Sequence, residues 1–528
     1  MRNKLYQIAF LLLFLSFFSV VINHNKENLP AAVEKKEIPR QIDLTYAVSE
    51  PIKSLDPAAA NNLSEAKVIA NIFEGLVRFK ADSTEIEPCL ATRWEVSPDG
   101  LHWIFHLRQD VVFHDETPLT AEAVKLSVER QLPPQKKDTM SYGSFTFGMV
   151  KSVDVMDDYT VKFSLRTPYS PFLRNLAMPW AAPIVSPASL KKYKNEIDRN
   201  PVGTGPYYLA EWRQDTPVLL ANERYWGKRP RIQSIAFSPV SQEGLLTSLN
   251  TGTAAVADLS PEQAKQIDER RVSVLRRPSA SLSYLGMFNN RPPFSNPRVR
   301  RAVCMAIDRN AIAEELFGDP SLAANSILPP KILGYNKELK PYSGGAKRAR
   351  DLLSSYGYPN GLQITLITYN TVRPYNPLGG NELAEIVKKQ LAQANIRVTV
   401  KSYPWHEFKS ALRQQEGDAF FFGWVGDNLD PDNFLYTLLA SDAISQTNLT
   451  HYKNSEVNRL LSAAQREQDE KIRQRLYYHA QQIMLQDTPM VFLTYGLDCF
   501  GVSKSIQGLE INPFGIPLFN HAHIKHYG

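Results

Sequence analysis

The sequence predicts an α/β protein, and three observations carry that expectation. Over residues 345–495, apolar runs of strand length alternate with amphipathic stretches of helical length. The loops that follow these runs are dense in Gly, Pro, Asn and Asp, at the strand ends where sheets of this class hold their ligands. A chain of 528 residues, 43% of them hydrophobic, can also bury a large core and corresponds to roughly three domain-sized units. Strands separated by helices need crossover connections, so the expected sheet is largely parallel and covered on both faces.

Taken in order, the chain opens with Arg2 and Lys4 and an almost unbroken apolar run over 8–22, the length of a secretory leader rather than of a full membrane span. Residues 1–22 are therefore expected to be a signal peptide or membrane anchor, and 23–40, rich in Lys, Glu, Asn and Pro, a linker. No small-x-small cleavage signal follows the run and no cysteine stands next to it to accept a lipid. The expected place of the protein is periplasmic or extracytoplasmic, free or anchored.

Residues 41–49 alternate as a strand, and 64–76 read as a helix. Ser-Pro-Asp-Gly at 97–100 and the Asp157–Asp158 pair are hairpin signals on either side of a helix at 120–131. After the Gly/Pro punctuation at 201–206 come extended segments at 207–212, 218–221 and 232–239. Helices are expected at 241–250, 261–269 and 297–316, with strands at 272–275 and 283–288 between them. The remainder alternates plainly: helices at 346–356, 381–393, 405–414 and 455–485 lead to strands at 363–368, 397–402, 418–425 and 490–495.

Composition narrows the function. The net charge is +6, and Arg2 and Lys4 supply two of those charges; the remaining +4 is too dilute to imply a nucleic-acid partner. The three cysteines, Cys89, Cys304 and Cys499, lie far apart and read as small buried apolar residues. There is no GxSxG, HExxH, P-loop, CxxC or zinc-spaced cluster, so neither an enzyme nor a cofactor is expected. His521, His523 and His526 could ligate nickel or zinc, but a terminal segment also collects histidines without purpose, and no metal site is assigned.

Two loops concentrate chemistry. One is Gly-Trp-Val-Gly-Asp-Asn at 423–428, running into Asp-Pro-Asp-Asn-Phe at 430–434. Asp430, Asp432 and Asn433 suit a turn and a helix start, whereas Asp427 stands where the preceding strand stops, beside Trp424 and after two glycines that let backbone approach a guest. The spacing lacks the glycine and terminal Glu of a calcium loop. The other is Arg-Pro-Tyr-Asn-Pro at 373–377, in which Arg373 offers a planar fork for a carboxylate and two prolines stiffen the loop that aims it.

With those motifs in view, the chain resembles the extracellular solute-binding proteins of the peptide and nickel ABC importers, family 5, and within them the dipeptide-binding subgroup. The resemblance runs from about residue 41 to the end. It rests on RWEVSPDG at 93–100, FHLRQDVVFHD at 105–115, PVGTGPY at 201–207, YWGKRP at 225–230, RVRRAV at 298–303 and DRNAI at 308–312, together with the two loops above. It implies a periplasmic-binding-protein-like fold: two lobes, an extra appended domain and a ligand cleft between the lobes. Lobe I would comprise 41–75, 203–288 and 496–528, the appended domain 76–200, and lobe II 289–495. By similarity, Asp427 would take the α-ammonium of a di- or tripeptide and Arg373 its α-carboxylate, with Trp405, Trp424 and Tyr375 walling the cleft. The implied partners are short peptides and the membrane subunits of an ABC permease, the protein itself being a monomer. Haem, a nickel chelate or a murein peptide is the alternative ligand within this fold, and a secreted peptidase the alternative class. Hinges are expected near Gly203 and Phe288.

Overall fold

In the computed structural model, which describes residues 39–525 apart from Asp82, 136–139, Ser141 and Asn195, the chain is organised on a ten-stranded mixed sheet. The expected leader at 1–22 and most of the linker lie outside the described residues. Among those described, no helix is long and apolar enough to cross a membrane.

The strands that matter here are β1 (Leu44–Val48), β2 (Ala91–Val96), β3 (His102–Leu107), β4 (Val150–Asp157), β5 (Thr160–Leu165), β6 (Tyr207–Arg213), β7 (Thr216–Ala221), β8 (Ser234–Pro239), β9 (Val256–Leu259), β10 (Val272–Met287), β11 (Leu362–Tyr369), β12 (Ile396–Tyr403), β13 (Ala419–Val425) and β14 (Met490–Ser503). The large sheet runs β12-β11-β13-β10-β14-β9-β1-β8-β7-β6, and β2-β3-β5-β4 form a separate antiparallel sheet.

The expectation of a largely parallel sheet is corrected. Parallel pairing holds in two blocks, β12-β11-β13 and β9-β1-β8, and every other neighbour is antiparallel. The reason lies in connectivity. Helices Gly380–Gln393 and Trp405–Arg413 carry the chain back between β11, β12 and β13, which forces those strands parallel. β10 and β14 arrive from distant parts of the chain and are under no such constraint.

β10 and β14 also tie the two blocks together. One end of this antiparallel pair, Val272–Pro278 against Ser503–Leu497, borders β9; the other, Leu282–Gly286 against Tyr495–Met490, borders β13. The register slips between Pro278 and Leu282, where proline cannot donate to the ladder. That proline and the small residues after it break the alternation, so what reads as two strands in the sequence is one. The sheet passes from one block to the other here. Gly203 is buried with its carbonyl bonded to His114 N at 2.9 Å, and Phe288 is fully buried.

Two long predicted helices are each a pair. The first is Pro297–Ala306 and Arg309–Phe317, the second Ser455–Arg466 and Glu470–Asp487. In each gap an aspartate starts a fresh helix: Asp308 accepts from Ala311 N, and Asp469 from Lys471 N and Ile472 N. Of the helix expected at 261–269 only the turn Gln263–Lys265 forms, because Ala264 and Ile267 alone have core to pack on. One apolar cluster runs unbroken from the small sheet (Phe105, Phe163, Phe172) to the β11–β13 block (Phe420, Leu435); a second fills the β1–β8 block, with Tyr46, Phe237 and Phe519 in ring contact.

Candidate functional site

The parallel block β12-β11-β13 sends three consecutive loops out from the carboxyl ends of its strands, and each carries a residue singled out in the sequence. Arg373 follows β11, Trp405 follows β12 and Asp427 follows β13. This is where a ligand on such a sheet is expected to sit.

Asp427 lines a cavity of about 350 Å³ whose walls come from both blocks of the sheet and from the segment carrying the small sheet. Tyr142 and Trp180 stand on one side, Ser279–Ser281 of the β10 slip and Asp498 of β14 on another, Pro374 beside Arg373 on a third, with Phe514 closing the apolar part. The Asp427 carboxylate accepts one hydrogen bond, from the Tyr142 hydroxyl at 3.2 Å, and its backbone N–H donates to Asn433 Oδ1 at 3.1 Å. Burial pushes its carboxyl up to about 6, against the opposing pull of the Tyr142 bond. Among the described residues no cation lies within ion-pair distance of it.

Arg373 is the opposite charge in the same condition. Its backbone is pinned by paired bonds with Asn376, N to O at 3.0 Å and back at 2.9 Å, and its guanidinium lies 3.4 Å over the Trp405 ring. Trp405 in turn stacks on Phe422 with centroids 5.7 Å apart. Arg373 Nε is buried without a hydrogen-bond partner, and desolvation lowers the guanidinium's hold on its proton. No carboxylate among the described residues pairs with it. The chain thus presents, on neighbouring strand-end loops, a carboxylate and a guanidinium that form no ion pair among the described residues, the Glu50 charge acting on Arg373 only from a distance.

The aromatic residues are placed differently from expectation. Trp424 is half-buried and fixed by its indole N–H to Asn433 Oδ1 at 3.0 Å. Tyr375 is buried at 5% exposure and does not reach the cavity wall, because its ring occupies the notch at Gly423, where a Cβ would lie 2.3 Å from Tyr375 Cδ2. Gly426 faces the Phe434 ring and also lines the cavity, so Gly423 is the glycine whose space the protein's own aromatic fills. The aromatic walls are Trp180, Tyr142 and Phe514, none of which the sequence singles out.

The remaining acidic residues of the loop serve the fold. Asp430 Oδ1 and Asn428 Oδ1 cap the turn, accepting from Asp432 N and Asp430 N at 2.9 Å each. Asp430 is fully buried in a fork–fork pair with Arg473, at 2.6 and 2.8 Å, and Arg174 approaches it at 3.5 Å. Asp432 accepts from Gln465 Nε2 at 3.1 Å; burial and then the Asp430 charge push its carboxyl up to about 7. All three cysteines are buried and free, His521 pairs with Glu510 at 2.8 Å, and His526 lies outside the described residues.

The family profile of the bacterial extracellular solute-binding proteins, family 5, matches residues 85–446. The chain belongs to that family. The haem-binding protein A of Haemophilus influenzae is 32% identical over 474 residues, 85% of this chain and 86% of the relative. Among solved structures, HbpA2 of Haemophilus parasuis superposes with a TM-score of 0.84 at 29% identity, covering 92% of this chain and all of the other. The ABC transporter-associated periplasmic binding protein DppA of Helicobacter pylori, solved with the peptide STSA, superposes at 0.73 with 31% identity over 92% of this chain and 98% of the other. The fold is therefore the two-lobed one of periplasmic binding proteins, and the cavity lies where its two sheet blocks meet. As a member of this family the chain is a solute-binding protein of an ABC importer.

Proposed function

We propose that the protein captures short peptides, chiefly di- and tripeptides, and hands them to an ABC permease. The observation that carries this reading is the pair of unpaired charges, Asp427 in the cavity and Arg373 beside it. A free peptide has one fixed cation and one fixed anion, and a cleft with a carboxylate and a guanidinium at set places grips both ends while leaving the side chains unread. Each such charge-assisted bond contributes roughly 1.5–3 kcal/mol, and enclosure between the lobes keeps water from screening it. Arg373 thereby measures length, since a carboxylate that falls short leaves a desolvated charge unpaired.

In this reading residues 41–75, 203–288 and 496–528 form lobe I, 76–200 the appended domain and 289–495 lobe II. The lobes close about the β10/β14 crossing at Ser279–Ser281 and Tyr495–Gly496. Contacts with the appended domain support closure there: in the Asp427 loop Asn428 donates to Asn175 at 2.7 Å and Tyr142 donates to Asp427, and on the helix Ser455–Arg466 the Gln465 carbonyl accepts from Ser170 N at 2.7 Å. Binding is the role supported by a carboxylate and a guanidinium set on neighbouring loops, each open to one charged end of a ligand.

Haem is the second reading, favoured by the likeness to a haem-binding relative; its propionates could pair with Arg373 but leave Asp427 without a cation. Calorimetry of the purified protein against a two-to-five residue peptide series, haem and a nickel–histidine chelate decides between them. Dipeptides are expected to bind most tightly. Tight haem or chelate binding with no response to any peptide overturns the proposal.

A further inference from the structure

The cavity holds a second carboxylate that a zwitterionic peptide leaves unused. Among the described residues, Asp427 and Asp498 are its only charged lining residues, and the rest of the wall is largely apolar. Asp498 sits on β14 opposite Arg277 of β10, whereas Val425, two residues before Asp427, sits opposite Ser281 of the same strand. Antiparallel pairing carries Asp427 on towards Ser279, with Gly426 N bonded to the Ala280 carbonyl at 2.7 Å, so the two carboxylates enter the cavity from opposite sides of β10 about two strand residues apart, roughly 7 Å along it before the side chains reach inward.

The cations around Asp498 are engaged elsewhere. Lys67, almost completely buried, forms its ion pair with Asp258, which also accepts from the Tyr46 hydroxyl at 2.7 Å. Arg277 donates to the Ile511 carbonyl at 2.8 Å. Both cations attract Asp498 at longer range and Asp258 opposes them, but among the described residues no hydrogen bond reaches its carboxylate. Burial pushes that carboxyl up to about 7, the condition of an acid placed in a cavity without a partner of its own.

Resting on the peptide reading above, we propose that Asp498 makes the site select peptides with a basic side chain, its carboxylate pairing with a Lys or Arg cation while Asp427 holds the terminal ammonium. The dimensions suit this. One residue of backbone spans roughly 3.5 Å, and the stem of Lys or Arg carries the second cation across the remaining gap along Trp180 and Phe514. An acidic side chain would meet a carboxylate instead, so selection comes from repulsion as well as attraction.

Calorimetry on the full chain at pH 7.5 with Ala-Lys, Ala-Arg, Ala-Leu and Ala-Glu tests this. The wild type is expected to bind Ala-Lys and Ala-Arg about 10-fold or more tighter than Ala-Leu, with Ala-Glu weakest. Asp498→Asn should remove that preference while leaving Ala-Leu within about twofold, since the neutral peptide never used the carboxylate. Equal wild-type affinity for Ala-Lys and Ala-Leu overturns the proposal but leaves the peptide reading standing, and it needs no variant to be folded. A substitution that weakens both peptides equally also overturns it, because Asp498 would then only brace Arg277. If no free dipeptide binds, the peptide reading falls and takes this inference with it.

Discussion

Asp427 and Asp430 stand three residues apart on one loop, and the protein treats them in opposite ways. Asp430 is sealed, gripped by both Arg473 nitrogens and approached by Arg174. Asp427 receives a single hydroxyl hydrogen bond and opens on a cavity. The arginines divide along the same line: Arg473 is buried and bidentate, whereas Arg373 stacks on Trp405 with a buried nitrogen unsatisfied. A charge whose counter-ion the fold supplies is part of the architecture; one left without is, in the function proposed above, where a ligand would complete the structure.

The largest effect should come from the sealed pair. Arg473→Ala leaves Asp430 buried with only Arg174 nearby, and chemical denaturation should show a loss of about 3–5 kcal/mol in stability. Asp427→Ala should do the reverse. Binding of a free dipeptide should weaken by about 2–5 kcal/mol in calorimetry, because the ligand's ammonium loses its partner. Stability of the empty protein should hold or rise by about 1–2 kcal/mol at pH 8. If Asp427→Ala unfolds the protein as readily as Arg473→Ala, the distinction between the two aspartates fails.

Arg373→Ala is expected to cost about 2–3 kcal/mol in binding and to flatten the dependence on peptide length across a two-to-five residue series. Unchanged affinity and length preference would make Arg373 an ordinary surface residue resting on Trp405.

The smallest effect is on pH. The Asp427 carboxyl is raised to about 6, so the empty folded state holds a proton that the unfolded chain has released, and this group's contribution to stability is lost as pH rises through 6. A cationic ligand needs the ionised form, so its affinity should fall about tenfold per pH unit below about 6. Thermal melts across pH 5–8 should therefore show the ligand-induced rise in Tm growing with pH. A rise that shrinks with pH would place the ligand's positive end elsewhere.

Much of this architecture could be read in the sequence, for reasons that also mark where reading stops. The strand-end loops announced themselves because Gly, Pro and Asn punctuate apolar runs, and those signals are local. Tyr142, which bonds Asp427 across 285 positions of chain, and Trp180 carry no local mark. Asp498 was invisible because it falls inside the strand Met490–Ser503, and only the register of β14 on β10 turns it to the cavity. Asp430 reads as a turn former, and Arg473 falls in helical register with the buried Tyr477, Ala480 and Met484, but no local signal shows that the two meet. The glycine at 423 reads as room for a guest, whereas the Tyr375 ring fills that notch, and the letter alone does not tell the two apart.

The central claim is that Asp427 and Arg373 are left unpaired so that the two ends of a peptide can pair with them. Calorimetry of the wild type with one dipeptide in its free, N-acetylated and C-amidated forms tests it most directly. Each blocked form should bind at least about 30-fold more weakly than the free one, the N-acetylated form losing its contact with Asp427 and the amide its contact with Arg373. Equal affinity for all three forms would contradict the account, since the site would then be reading something other than the charged ends.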